Sequence, residues 1–162
     1  MQQTPQTISY SDGFPVSVLM EYPREIDDEQ DRGEVIGLVA GAAPEHSGQS
    51  ALVRSGEHSE QYLWRGFRLP LYRDDAESYY MNLMGEKPRV FVLCRGRAGR
   101  LRPFRVTLSY DEAASYLEVD EPVFSLPMPP EVYRWLEGYV LEHYVPQRKK
   151  KRKRDDWKQA RR

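Results

Sequence analysis

The sequence predicts a single α+β domain: a mainly antiparallel sheet of five or six strands, packed by two short helices and one longer C-terminal helix, plus a basic tail. Several segments alternate apolar and polar residues with the period of two that is typical of half-buried strands. Residues 130–144 instead space their apolar side chains as one face of a helix does. Strands and helices do not alternate regularly along the chain, which favours α+β over a doubly wound α/β fold.

Charge and composition divide the 162 residues into three parts. Residues 1–13 are polar and are expected to be a flexible N-terminus, and residues 14–146 suffice for one domain. Residues 147–162 contain ten Lys or Arg and two Asp, a net charge of +8, whereas the rest of the chain holds 14 Lys or Arg and 23 Asp or Glu, a net charge of −9. This asymmetry is typical of an acidic globular domain with a basic interaction tail that is expected to be disordered.

The first half of the domain is predicted to form strands. Residues 14–22 (FPVSVLMEY) alternate in character, and residues 35–41 (VIGLVAG) resume an apolar strand. Residues 51–54 and 61–72 flank a Ser- and Gly-containing loop, which predicts a hairpin. Pro70 has no N–H to donate, so the end of the second hairpin strand should lie at a sheet edge or a bulge.

A short helix and two strands should follow. Residues 74–88 are predicted to contain the helix, with Asp74 as the N-cap and Gly85 in the left-handed position after the last turn. Residues 90–94 are five consecutive apolar residues, as in a strand covered on both faces, and residues 104–110 alternate cleanly.

Two further helices are predicted from their first residues. Ser109, with Glu112 three positions later, should cap a short helix. Pro130 suits the first position of the long helix, which runs to about Tyr144. The apolar stripe of that helix consists of Val132, Trp135, Leu136, Tyr139, Val140, His143 and Tyr144.

Motifs that carry chemistry are absent from the sequence. The one cysteine, Cys94, excludes an internal disulfide and a multi-cysteine metal site, and its apolar strand predicts a buried, inert thiol. His46, His58 and His143 lack metal-ligand spacing, and no GxGxxG, P-loop or GxSxG pattern occurs. We therefore predict a protein that is not an enzyme and needs no cofactor. No apolar segment reaches the roughly 20 residues that span a bilayer, and no secretory signal is evident, so we expect a cytoplasmic location.

The candidate binding residues are basic. Residues 148–154 are seven consecutive cations, which repel one another in isolation and would release counterions from an anionic surface. Trp157 could stack on an exposed base or sit at a membrane interface. Residues 95–105 form an arginine-rich loop and strand. The predicted anion- or partner-binding residues are Arg148, Lys149, Lys150, Lys151, Arg152, Lys153, Arg154, Trp157, Arg95, Arg97, Arg100 and Arg102. Alternatively, the tail is solvated without a specific partner or is held by the acidic loop 27–31. The arginines of residues 95–105 would then only solvate a loop between strands.

Three segments together resemble one bacterial family. Tyr79, Asn82 and Leu83 form a Tyr-x-x-Asn-Leu pattern before a strand, a Met-Pro-Pro-Glu helix start begins at Met128, and a Lys/Arg cluster closes the pattern. Over roughly residues 14–154 the chain is similar to the family known as domain of unknown function 3305. Members are often encoded beside formate dehydrogenase genes, near small iron–sulfur proteins and a chaperone. The resemblance implies a cytoplasmic accessory role for that molybdenum enzyme and supplies no catalytic residue.

Two functional hypotheses follow. In the first, the protein is a non-enzymatic accessory or adaptor whose basic tail engages an acidic protein partner, such as a formate dehydrogenase component or another accessory factor. In the second, the tail and the arginine-rich loop bind RNA or DNA. A run of cations indicates an anionic ligand and carries no further specificity by itself.

Overall fold

The computed structural model describes residues 8–41, 49–96 and 99–146. These residues form seven strands, three α-helices and two short 3-10 helices, at Glu29–Arg32 and Arg73–Asp75. The strands and α-helices are, in chain order, β1 (Phe14–Pro23), β2 (Glu34–Ala40), β3 (Ser50–Ser55), β4 (Ser59–Leu69), α1 (Ala76–Met84), β5 (Arg89–Arg95), β6 (Arg102–Thr107), α2 (Tyr110–Leu117), β7 (Val123–Pro127) and α3 (Pro130–His143). The predicted α+β class, its antiparallel strands and its two short helices and one long helix are confirmed.

The strands are divided between two sheets rather than gathered in one. The larger sheet has the order β2-β1-β4-β3 and the smaller has the order β6-β5-β7, with antiparallel pairing throughout. The predicted hairpin is β3–β4. Residues 90–94 lie in β5, which is the central strand of the smaller sheet and is buried along almost its whole length. Hydrophobic periodicity reports which face of a strand is buried and not which strands pair, and this explains why one sheet was expected.

Bulges interrupt the strand pairing in both sheets, including one in β4 and one in β6. In β4, Arg65 and Gly66 lie opposite the single residue Ser17 of β1, and Gly66 has a φ of 89°. In β6, Phe104 is the extra residue where the pairing with β5 shifts. A bulge increases the local twist and changes the direction of the side chains beside it. The side chains of Arg65 and Arg105 therefore depart from the regular alternation of their strands.

The predicted ends of α1 are wrong at both termini. The helix begins at Ala76, and Asp74 lies in the preceding 3-10 turn without acting as its cap. Gly85 is extended, with φ −68° and ψ 161°, rather than left-handed. The Asn82 side chain holds this end instead: Nδ2 donates to the carbonyl oxygens of Arg89 at 2.8 Å and Leu108 at 2.9 Å, and Oδ1 accepts from the Arg89 N–H.

The predicted starts of α2 and α3 are confirmed. The Ser109 hydroxyl accepts a hydrogen bond from the Glu112 backbone N–H at 3.2 Å, and Pro130 occupies the first turn of α3. Trp135 on the α3 stripe is 9% exposed, and its Nε1–H donates to the Ile8 carbonyl oxygen at 3.0 Å. Part of the segment expected to be a flexible terminus therefore contacts α3.

The core contains residues from both sheets and from α1 and α3. Its members include Val16, Val18 and Met20 of β1, Val90 and Val92 of β5, and Val132 and Leu136 of α3. The predicted burial of Cys94 is confirmed, and burial raises the pKa of its thiol to about 12. Within the described ranges, no helix has both the length and the apolar character needed to cross a bilayer.

Candidate anion-binding groove

A groove of about 1360 Å³ separates β4 of the larger sheet from β6 of the smaller sheet. Residues 64–68 and Pro70 line one wall, and residues 102–106 line the other. Arg32, Arg95, Gly96 and Arg100 contribute at the start of β6, and the turn 119–122 after α2 completes the lining. The bulges of both strands lie within these walls.

The lining of this groove is strongly positive. It contains seven arginines and two acidic residues, a formal charge of +5. We call it the arginine groove; its arginines are Arg32, Arg65, Arg68, Arg95, Arg100, Arg102 and Arg105, and its acids are Asp120 and Glu121. A cleft lined by one sign of charge concentrates the electrostatic potential and attracts ions of the opposite sign.

Arg105 is held by an internal partner. Its Nε forms an ion pair with Oε1 of Glu112, whose Oε2 accepts a hydrogen bond from the Thr107 hydroxyl at 2.7 Å. Burial lowers the pKa of Arg105, but attraction and hydrogen bonding from Glu112 outweigh burial and hold the pKa above its usual value. The charge of Arg105 is therefore fixed and already compensated.

Two further arginines also have internal partners. Arg95 Nε lies 3.3 Å from a carboxylate oxygen of Glu121, and its guanidinium carbon lies 3.9 Å from the centroid of the Phe104 ring. Arg100 Nη1 lies 3.7 Å from a carboxylate oxygen of Glu60, so it connects the approach to β6 with β4. The Arg100 guanidinium also covers the Tyr22 ring, 4.8 Å from its centroid. Of these contacts, the ion pair of Arg100 with Glu60 links the two sheets.

The other four arginines of the groove form no salt bridge within the part of the chain that the structure describes. They are Arg32, Arg65, Arg68 and Arg102. Among the described residues, Arg68 Nη1 donates to the backbone carbonyl oxygens of Asp12 and Gly13, both at 3.4 Å. A guanidinium without a carboxylate partner keeps its preference for a bidentate anionic ligand.

Arg32 is positioned by the loop before β6. Its Nε donates to the Gly99 carbonyl oxygen at 3.1 Å, and its own carbonyl accepts from the Leu101 N–H at 2.8 Å. Its Nη2 is buried without a hydrogen-bond partner among the described residues. A Cβ at Gly96 would lie 2.8 Å from this Nη2 and 2.9 Å from the Arg100 carbonyl oxygen. Gly96 is therefore needed for the close approach of Arg32 to the groove.

Tyr22 lies beneath the end of the groove where Arg100 sits. Its side chain is 2% exposed, and its O–H donates to the Leu101 carbonyl oxygen at 2.6 Å. Burial is the main cause that raises the pKa of Tyr22 to about 12. This hydrogen bond joins β1 of the larger sheet to the residue that precedes β6.

Comparison with known families matches residues 15–153 to the family described as Protein of unknown function (DUF3305). The chain belongs to this family. The match includes both walls of the arginine groove and confirms the family that the sequence motifs indicate. Comparisons with curated proteins and with solved structures gave no significant match.

The structure of this DUF3305 protein brings together three of the residues predicted from sequence. Arg95, Arg100 and Arg102 all line the arginine groove. Arg97 lies outside the described residues, as do Arg148, Lys149, Lys150, Lys151, Arg152, Lys153, Arg154 and Trp157. The acidic loop 27–31 folds partly on itself, because a carboxylate oxygen of Asp31 accepts from the backbone N–H groups of Asp27 and Asp28.

Of the seven groove arginines in this DUF3305 protein, four were not on the list of predicted binding residues: Arg105, which belongs to the arginine-rich segment 95–105 noted from sequence, and Arg32, Arg65 and Arg68. Arg65 and Arg68 lie in the segment YLWRGFR, where arginines are interspersed with aromatic residues, and this pattern was the available signal. Arg32 carries no such signal, because it lies in an acidic loop far from the other arginines in the chain. Its place in the groove depends on the backbone contacts with residues 99–101.

The aromatic rings of the groove are already covered. Arg95 lies over the Phe104 ring, and the Tyr116 ring packs edge-on against it at 5.7 Å. Trp64 and Phe67 are partly buried and pack against the core. A platform for stacking bases needs open ring faces, so the lining of this DUF3305 groove suits anionic groups better than stacked bases.

Proposed function

We propose that this protein is a non-enzymatic cytoplasmic adaptor that binds an acidic segment of a partner protein in the arginine groove. The observation that supports the proposal is the convergence of Arg32, Arg65, Arg68 and Arg102 without a carboxylate partner among the described residues. Carboxylates match guanidinium groups bidentately, and such charge-assisted hydrogen bonds are about twice as strong as neutral ones. An acidic segment would supply the missing partners.

The family resemblance supplies a candidate for the partner. On this proposal the protein is an accessory factor for formate dehydrogenase, and the acidic segment belongs to a component of that enzyme or to another accessory factor. Residues 148–154 provide a second cationic element, which would attract the same partner at longer range.

The proposal is tested by affinity capture with the full-length protein from extracts of its own cell, with bound proteins identified by mass spectrometry. The double variant Arg65→Ala/Arg68→Ala removes two uncompensated charges from the groove. The matched control, Arg54→Ala/Arg134→Ala, removes the same charge from exposed positions of β3 and α3. We expect the groove variant to lose the formate dehydrogenase component or accessory factor and the control to retain it. Equal recovery of the partner protein with the groove variant and the control variant would show that the partner does not bind in the arginine groove.

The second candidate is binding of RNA or DNA. It is favoured by the seven arginines that flank one groove, because guanidinium groups also bind phosphates bidentately. Filter binding of a single-stranded RNA and a duplex DNA at 50 and 200 mM salt tests it. Six to ten phosphate contacts would weaken affinity by about 10³–10⁵ between these salt concentrations. Failure to retain either nucleic acid at the lower salt concentration would exclude this candidate.

A further inference from the structure

The two strands that contribute the walls of the arginine groove, β4 and β6, each have a stretch of edge without a strand partner among the described residues. Resting on the proposed function, we propose that the acidic partner segment binds there as an extended β-strand in which acidic and apolar residues alternate. Addition of a strand to a free edge is a common mode of peptide recognition, in which main-chain hydrogen bonds supply affinity and side-chain pockets supply specificity.

Both strands that border the groove have unpaired edges within the described residues. β6 is the terminal strand of the order β6-β5-β7, so only one of its edges is paired. β4 pairs with β3 as far as Trp64, and the Arg65 N–H donates to the Gln49 carbonyl oxygen at 3.1 Å. From Gly66 to Leu69, β1 is the one strand among the described residues that pairs with β4. Free strand edges present backbone donors and acceptors to an incoming chain.

The side chains of the groove favour an alternating partner. Among the described residues, Arg65, Arg68 and Arg102 provide positive charge without a carboxylate partner. Val119, which is 66% exposed, and the partly buried Phe67 provide apolar surface in the same lining. Successive side chains of a strand point to opposite faces. A segment with carboxylates at every second position can therefore direct its charges to the arginines and its apolar residues to the other surface. A uniformly acidic segment would place half of its carboxylates against apolar groups.

The dimensions of the groove fit such a segment. The six residues of β6 extend over about 20 Å at the usual rise of a strand. The volume of about 1360 Å³ exceeds the roughly 300–1,000 Å³ of typical small-molecule sites. The ion pair between Arg100 and Glu60 connects the walls at one end, so this part of the groove exists before the ligand arrives. A preformed groove reduces the ordering cost of binding.

The binding mode is tested with the full-length protein and fluorescently labelled octapeptides of identical composition, measured by anisotropy at low salt. One peptide alternates glutamate and valine, and a second groups four glutamates before four valines. Two further alternating peptides carry N-methyl groups on the odd-numbered or on the even-numbered amides. We expect the alternating peptide to bind about tenfold or more tightly than the grouped peptide. One of the two methylated peptides should bind about tenfold or more weakly than the unmethylated alternating peptide, because a strand forms its backbone hydrogen bonds to one neighbour through every second residue.

Backbone hydrogen exchange provides the second measurement. Bound alternating peptide should slow exchange at amides of β6 or of residues 66–69, and Arg65→Ala/Arg68→Ala should remove this protection while Arg54→Ala/Arg134→Ala retains it. Equal affinity of the alternating and grouped peptides, or unchanged exchange at saturation, would overturn the strand-binding mode and leave the acidic-partner function standing. Failure of both acidic peptides to bind would overturn the acidic-segment function together with its mode.

Discussion

Replacement of Tyr22 by phenylalanine tests the contact that joins the two sheets beneath the arginine groove. The Tyr22 O–H donates to the buried Leu101 carbonyl oxygen at 2.6 Å. The variant keeps the ring under Arg100 but leaves that carbonyl without this hydrogen bond. A buried polar group that loses its partner costs about 1–3 kcal/mol, so the variant should be less stable by this amount at pH 7.

The stability difference should shrink in alkaline solution. Burial raises the pKa of Tyr22 from 10.0 to about 12. Between these values the unfolded state binds fewer protons than the folded state, so the free energy of unfolding falls as pH rises. The phenylalanine variant lacks this ionisation. The difference between the two proteins should therefore narrow by about 1.4 kcal/mol from pH 9 to pH 11.

Urea unfolding of the native protein and of Tyr22→Phe at pH 7, 9, 10 and 11 measures the difference between their free energies of unfolding. Ionisation of all other groups is common to the two proteins and cancels in this difference. Tyr110→Phe is the matched control, because Tyr110 is 62% exposed and its hydroxyl meets water in the folded and the unfolded chain. A difference between Tyr22→Phe and the native protein that stays constant from pH 9 to pH 11 would refute the reasoning. It would mean that water reaches the Tyr22 hydroxyl in the folded protein.

Three further substitutions test the packing of α3, the N-terminal cap of α2 and the backbone of the turn that follows α2. Trp135→Ala should lower the free energy of unfolding by about 3–5 kcal/mol in urea, because its ring is 9% exposed in the core; a loss below about 1 kcal/mol would contradict that packing. Ser109→Ala should lower the free energy of unfolding by about 1 kcal/mol, and with it the melting temperature, because it removes the side-chain cap of α2 that accepts from the Glu112 N–H. An unchanged melting temperature would argue against the cap. Asp120→Gly should raise the free energy of unfolding by about 0.5–1 kcal/mol, because Asp120 has a φ of 59° and glycine adopts this left-handed conformation with less strain. A lower melting temperature would contradict this expectation.

Short sequence patterns predicted the starts of α2 and α3 correctly but not the ends of α1. The cap at Ser109 and the start at Pro130 were predicted correctly, because both depend on contacts within one helical turn. Asp74 and Gly85 looked equally suitable in the sequence, but the Asn82 side chain binds backbone atoms of Arg89 and Leu108 and determines how α1 ends. The second of these contacts lies 26 residues away along the chain, beyond the range of a capping pattern.

The sequence predicted only part of the groove, because the two walls come from segments that are distant in the chain. Arg95, Arg100 and Arg102 lie close together in the sequence, so their density alone marked them as a basic surface. Their opposite wall comes from β4, and no local pattern relates Arg65 or Arg68 to β6. The sequence also contains no information on which arginines have carboxylate partners, since those partners come from other elements of the fold.

The sequence by itself determined the α+β class, the long amphipathic helix, the membership in the DUF3305 family and the contrast in net charge between residues 1–146 and residues 147–162. These properties follow from composition, from periodicity and from motifs read along the chain. Only the tertiary structure decided that the strands form two sheets and that four arginines without a carboxylate partner among the described residues line one groove beside β4 and β6. Strand pairing and ion pairing join residues that are distant in the chain, and their geometry exists only after the sheets have packed together.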